Sequence, residues 1–139
     1  VEQRSGAIEG LPRVLVLDDD QDTLMFMGRL LSQIPVDAVP AATCADARRA
    51  LEVMGGLDII IADWKLQDGD GCDLLIEAKR RHGCGTVMMS GSPPPNGAAP
   101  DGIDLWLMKP ICLAQLKEAV TQLSSSKQRP QARTQFGRD

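Results

Sequence analysis

The stretch Asp58-Ile59-Ile60-Ile61-Ala62-Asp63-Trp64 constrains this chain more than any other. Branched apolar residues run unbroken into a carboxylate. Such a run, with no polar alternation, suits a strand buried on both faces in the middle of a parallel sheet. The strand would deliver Asp63 to its carboxyl end, the edge where open parallel α/β sheets hold their ligands. The next turn, Leu66-Gln67-Asp68-Gly69-Asp70-Gly71, is polar and glycine-rich, so the chain can reverse beside the carboxylate. Taken alone, Asp63 is equally well explained as a capping residue before a turn; the rest of the chain decides.

Three further apolar runs end in reactive groups. Arg13-Val14-Leu15-Val16-Leu17 ends in Asp18-Asp19-Asp20, Thr86-Val87-Met88-Met89 ends in Ser90-Gly91-Ser92, and Asp104-Leu105-Trp106-Leu107-Met108 runs into Lys109-Pro110. A short strand over Val36 to Val39 is closed by Pro40, which suits a sheet edge. The intervening segments have helical spacing. The first runs to about Gln33, with Thr23, Phe26, Met27, Leu30, Leu31 and Ile34 on one buried face and Leu24 and Met25 off it. Thr43 can cap a second helix over about Ala45 to Met54, ended by Gly55-Gly56. A third covers Cys72 to His82, and the last spans Leu113 to Leu123 with Leu113, Leu116, Val120 and Leu123 inward.

Pro93-Pro94-Pro95-Asn96-Gly97-Ala98-Ala99-Pro100-Asp101-Gly102 breaks the alternation, because proline and glycine oppose a stable helix. The order β-α-β-α-β-α-β-loop-β-α predicts an α/β fold with helices on both faces of the sheet. The expected architecture is a flavodoxin-like doubly wound five-stranded parallel sheet, order 2-1-3-4-5, with the fourth helix replaced by a Pro/Gly-rich loop.

A chain of 139 residues suits one domain with a single core. Residues 13–124 are expected to form it, with 1–12 a linker or tail and 125–139 a disordered tail. The formal net charge of −4, with two Trp, two Phe and no Tyr, argues against direct nucleic-acid binding. Neither a phosphate-neutralising basic stripe nor a base-stacking platform is visible in the body of the chain. No apolar run approaches the roughly 18 residues of a membrane span, and the N-terminus lacks a signal-type apolar region, so a cytoplasmic location is expected. Cys44, Cys72, Cys84 and Cys112 form no C-x-x-C pair and read as buried thiols of a reducing compartment. The start at Val1 rather than Met gives the expectation of a piece cut from a longer protein.

In a parallel sheet the strand ends share one edge, so Asp18, Asp19, Asp20, Asp63, Ser90 and Lys109 should converge there. Clustered carboxylates repel one another unless a hard cation neutralises them. Oxygen ligands at an open, wet rim suit Mg²⁺. Asp20 can cap the first helix, leaving Asp18 and Asp19 for the metal. A carboxylate, a metal, a hydroxyl and an ammonium are the parts of a phosphoryl-transfer site.

The same blocks resemble the receiver domain of bacterial two-component response regulators. The resemblance covers about Arg13 to Ser124. It rests on Val14-Leu15-Val16-Leu17-Asp18-Asp19-Asp20, on Ile61-Ala62-Asp63-Trp64-Lys65-Leu66 with Asp70-Gly71, on Met89-Ser90-Gly91, and on Met108-Lys109-Pro110. It implies that Asp63 takes a phosphoryl group from a phosphohistidine of a histidine kinase or phosphotransfer protein. Asp18, Asp19, Asp63 and the backbone carbonyl of Lys65 would hold Mg²⁺. Ser90 would hydrogen-bond the phosphoryl oxygens, Lys109 would pair with them across a cis Lys109-Pro110 bond, and Ser90 and Trp106 would form the switch. Gln67 stands where the family commonly has proline, and the interval from Ser90 to Lys109 is short for a fourth helix. The 93–102 segment is therefore expected to be a mobile loop that becomes partly ordered on phosphorylation. Leu24 and Met25, off the inward face of the first helix, are the expected contact patch for a helical phosphodonor.

The alternative is a haloacid-dehalogenase-like phosphatase. Asp18-Asp19-Asp20-Gln21-Asp22 nearly matches its Asp-x-Asp-x-Thr/Val pattern, but Asp22 fails the fifth position and Asp63 is left without a role. A flavodoxin lacks support because three acids stand where an FMN phosphate would bind.

Overall fold

The structure is a computed structural model that describes the backbone of residues 10–133 and the side chains of residues 10–124. Along the chain lie β1 (Arg13–Leu17), α1 (Gln21–Leu31), β2 (Asp37–Ala41), α2 (Cys44–Val53) and β3 (Ile59–Asp63). They are followed by the two-residue strands β4 (Lys65–Leu66) and β5 (Gly69–Asp70), then α3 (Gly71–His82), β6 (Gly85–Ser90), β7 (Leu105–Met108) and α4 (Leu113–Arg133). The main sheet has the order β2-β1-β3-β6-β7, and all its pairings are parallel. Without the small β4–β5 ribbon this is the expected 2-1-3-4-5 order.

The pleat of β3 explains the uninterrupted apolar run. Ile59, Ile60, Ile61 and Ala62 are fully buried, because successive side chains enter opposite layers. Ile60 and Ala62 join Leu15, Leu17 and Met88 under α2 and α3. Ile59 and Ile61 join Val14, Val16, Val87 and Met89 under α1 and α4. Each fully buried isoleucine contributes about 1.5–3 kcal/mol. β2 lies at the sheet edge and contains Pro40, paired with Val16; an edge strand tolerates the missing donor.

Between β6 and β7 the only helical turn is a 3-10 turn over Pro95–Gly97, with Asn96 at φ 61°. No α-helix stands there, as the prolines require. Several expectations need correction. α4 continues to Arg133, past the Leu123 end read from the sequence. The apolar face stops at Leu123, but nothing between Leu123 and Arg129 terminates a helix. Residues 1–9 and 134–139 of the expected tails lie outside the described residues. On α1, Phe26 is 44% exposed instead of inward, while Leu24 is half-buried and packs against the core of Met27 and Leu31. Cys112 is exposed and Cys72 half-buried, unlike the buried Cys44 and Cys84.

Candidate functional site

The carboxyl ends of β1, β3 and β7 bring Asp18, Asp19, Asp63 and Lys109 together. One carboxylate oxygen from each of Asp18, Asp19 and Asp63 lies within 4.8 Å of the others. Asp18 is buried, and its amide donates to the Ala41 carbonyl of the neighbouring strand at 3.1 Å. Its Oδ1 accepts the Asp20 N–H at 2.9 Å. Lys109 Nζ lies 3.2 Å from Asp18 Oδ2 and 3.1 Å from Asp63 Oδ1. The Lys109 N–H donates to the Ser90 carbonyl at 2.8 Å, and the Lys109-Pro110 peptide is cis. Asp20 takes the N-cap position of α1, yet its carboxylate accepts the Thr23 hydroxyl at 2.6 Å and caps no helix N–H.

Burial pushes the Asp18 carboxyl up, and the Asp63 charge adds to this, against the Asp20 N–H and Lys109. For Lys109, burial pulls the ammonium down, but its bonds to Asp63 and Asp18 outweigh this and raise it. It is therefore charged at neutral pH. Three carboxylates thus face one ammonium, which leaves excess negative charge. The donor atoms are all carboxylate oxygens, and Asp19 and Asp63 are partly open to water. That donor set fits Mg²⁺, a hard cation that keeps several of its waters.

The chain leaving Asp63 folds into a tight ribbon. A Cβ on Gly71 would overlap the Asp63 carbonyl oxygen, and the Gly71 N–H donates to the Trp64 carbonyl at 2.6 Å. Only glycine allows that approach. β4 and β5 pair antiparallel, Lys65 with Asp70 and Leu66 with Gly69. Asp70 caps α3 by accepting the N–H groups of Cys72 and Asp73 at 2.8 and 3.2 Å. At the ribbon tip the Gln67 N–H donates to Asp19 Oδ2 at 2.9 Å. The Lys65 side chain is exposed, with Nζ 4.9 Å from the Trp64 ring centroid.

On the other side of Asp63, Ser90 ends β6 and is buried. Its Oγ accepts the Ser92 N–H at 3.0 Å. Trp106 Nε1 donates to the Ser92 carbonyl at 2.9 Å, and the Trp106 ring meets Trp64 edge-on at 5.2 Å.

The family model described as "Response regulator receiver domain" matches residues 14–121. The chain belongs to this family. The receiver domain is 33% identical over 113 residues to "Two-component response regulator ORR21" of Oryza sativa subsp. indica, which covers 76% of this chain and 16% of that protein. It is also 33% identical over 113 residues to "Two-component response regulator ARR11" of Arabidopsis thaliana, covering 76% of this chain and 21% of that protein. It thus spans only about a sixth to a fifth of these relatives. Among solved structures, a CheY-like response regulator receiver domain protein from Methanospirillum hungatei JF-1 aligns with TM-score 0.77 and 25% identity, covering 86% of this chain and 98% of that one.

Two parts of this receiver domain depart from the sequence reading. Of the expected contact patch on α1, Met25 is 57% exposed, but Leu24 is tucked against the core, and exposed Phe26 takes its place. Beside Phe26 a groove of about 380 Å³, lined by Asp22, Thr23, Met27, Lys109, Pro110 and Ile111, opens next to the acidic cluster. Asp68 was not singled out by the sequence. Its oxygens accept the N–H groups of Cys44 and Ala45 at 2.8 and 3.1 Å. No local signal marks a contact across 24 positions. Among the described residues, no helix is long and apolar enough to cross a membrane.

Proposed function

We propose that this receiver domain is a phosphoacceptor in a two-component phosphorelay. Asp63 takes a phosphoryl group from a phosphohistidine of a histidine kinase or histidine phosphotransfer domain. The observation that carries this reading is the Lys109 ammonium held between Asp18 and Asp63, with Asp19 completing the carboxylate cluster. An Asp63 oxygen forms a bond to phosphorus as the N–P bond breaks. The electron pair stays on the leaving imidazole. Asp18, Asp19, Asp63 and the backbone carbonyl of Lys65 would hold Mg²⁺, which neutralises charge on the phosphoryl oxygens when bound. Lys109 stabilises the same oxygens, and the Ser90 hydroxyl donates to one after leaving Ser92.

That movement would free the Ser92 amide and so loosen the Trp106 contact at its carbonyl, which is the proposed conformational signal. The 93–102 segment carries it as a change in order and not as a helix shift. Met25, Phe26 and the adjoining groove are the proposed docking surface for the phosphodonor helix. The domain signals and turns over no substrate besides its own phosphoryl group, in the cytoplasm and without direct nucleic-acid contact. The phosphatase alternative is disfavoured because Asp63, roleless there, sits inside the carboxylate cluster.

Incubation with acetyl phosphate and Mg²⁺, read by intact mass, tests the proposal. One phosphoryl group is expected on the wild type, and none with a chelator or in Asp63→Asn. A stable adduct forming on Asp63→Asn at the wild-type rate would overturn it.

A further inference from the structure

The ribbon after Asp63 is pinned at its tip from two sides. Towards the site, the Gln67 N–H donates to Asp19 Oδ2 at 2.9 Å. Away from the site, Asp68 Oδ1 accepts the Cys44 N–H at 2.8 Å and Oδ2 accepts the Ala45 N–H at 3.1 Å. Cys44 and Ala45 are the first residues of α2, whose own cap, Thr43, accepts only the Asp46 N–H, at 3.0 Å. The ribbon also rests directly on α2. A Cβ on Gly69 would stand 3.0 Å from Cys44 Sγ. A carboxylate bonded through both oxygens cannot pivot, so the peptide between Gln67 and Asp68 is fixed relative to α2.

We propose that Asp68 is a positioning residue for the divalent cation. It clamps the ribbon to α2, which fixes the Gln67 N–H and through it the orientation of the Asp19 carboxylate. The same clamp steadies the backbone of Lys65, two residues from the tip. The proposal rests on the phosphoacceptor reading, in which Asp19 and the Lys65 carbonyl are metal ligands. Groups that orient metal ligands typically change affinity by about 10–100-fold.

The test is thermal unfolding of the full chain against Mg²⁺ concentration, which yields both the metal-free midpoint and the Mg²⁺ affinity. Asp68→Ala is compared with Thr43→Ala, which removes the other cap of the same helix without touching the ribbon. Both should lower the metal-free midpoint. Only Asp68→Ala should weaken Mg²⁺ binding, by about tenfold, with phosphoryl uptake from acetyl phosphate recovering at saturating Mg²⁺. Asp68→Asn, which keeps one acceptor oxygen, should fall between and serves if Asp68→Ala does not fold. Unchanged Mg²⁺ affinity in the Asp68 variants, or equal weakening in Thr43→Ala, would overturn the positioning role and leave the phosphoacceptor reading intact. A wild type whose midpoint ignores Mg²⁺ and which takes no phosphoryl group would overturn both.

Discussion

Two segments leave neighbouring strands at the same sheet edge, and they are built differently. The ribbon after β3 is bonded almost residue by residue: Trp64 to Gly71, Gln67 to Asp19, Asp68 to α2, Asp70 to α3. The segment between β6 and β7 has its side-chain bonds at its two ends, with Ala99 packed on the core and two turn bonds, Gly97 to Pro94 and Ile103 to Pro100, between them. Ser90 and Trp106 hold Ser92 at the start. At the return, the Thr86 hydroxyl donates to the Gly102 carbonyl at 2.6 Å, and the Asp104 carboxylate takes the Thr86 N–H and the Lys79 ammonium, each at 2.9 Å. Between these anchors Pro93, Pro95, Asn96 and Gly97 are exposed. Metal and phosphoryl chemistry needs groups placed to within about 0.5 Å. A segment that must only leave one strand and enter the next needs fixed ends. This contrast explains how the fourth helix is lost while the acidic cluster remains.

A pair of glycine substitutions tests the contrast most severely. Gly71→Ala puts a methyl group into the backbone of Asp63. It should cost about 3 kcal/mol or more and abolish phosphoryl uptake. Gly91→Ala meets nothing within 4 Å and has no positive φ, so its midpoint should stay within about 0.5 kcal/mol of wild type. Chemical denaturation of the two variants checks this. Thr86→Val strips the buried loop anchor of its hydroxyl and leaves the Gly102 carbonyl without that donor. We expect a loss of about 1–3 kcal/mol with phosphoryl uptake from acetyl phosphate unchanged, since the anchor lies at the far end of β6.

Asp18→Asn should raise the midpoint in the absence of metal. A carboxyl whose folded pKa is raised contributes stability that is fully present below its ordinary value of 3.8. That stability is lost as pH rises through the folded pKa. The amide keeps the bond from the Asp20 N–H but not the charge, and Mg²⁺ should no longer stabilise the protein. Unfolding midpoints at pH 4 and pH 7 check the sign: the advantage of Asp18→Asn over wild type should grow with pH. A milder loss is expected for Trp106→Phe, which removes the bond to the Ser92 carbonyl at a cost of about 0.5–1 kcal/mol. Amide exchange over residues 92–103 should quicken, while exchange in the ribbon stays as it was.

The strands and their terminal residues were legible because a doubly buried strand needs a long apolar run, and the residue just past its carboxyl end must lie at the sheet edge. Asp18, Asp63 and Lys109 were found in this way. The faces of α1 were less legible. Helical spacing allows one stripe through Phe26 and Leu30 and another through Leu24 and Leu31. The choice depends on which neighbours pack on the helix: Leu24 sits beside Val39 and Pro40 of β2, while Phe26 faces outward beside the cis Lys109-Pro110 turn. The end of α4 was misplaced because the end of an apolar face is not a helix stop. Asp68 was invisible for another reason: its partners are backbone N–H groups, which every residue but proline carries, so no residue type announces them.

In the proposed reaction Asp63 carries the phosphoryl group, and the missing fourth helix plays no part in this chemistry. An aspartyl phosphate is an acyl phosphate, and borohydride reduces it to homoserine. The protein treated with acetyl phosphate and Mg²⁺, reduced and mapped by peptide mass, should contain homoserine at position 63 alone. Homoserine at position 18 or 19, or at no aspartate in a protein that has gained a phosphoryl group, would show that Asp63 is not the acceptor.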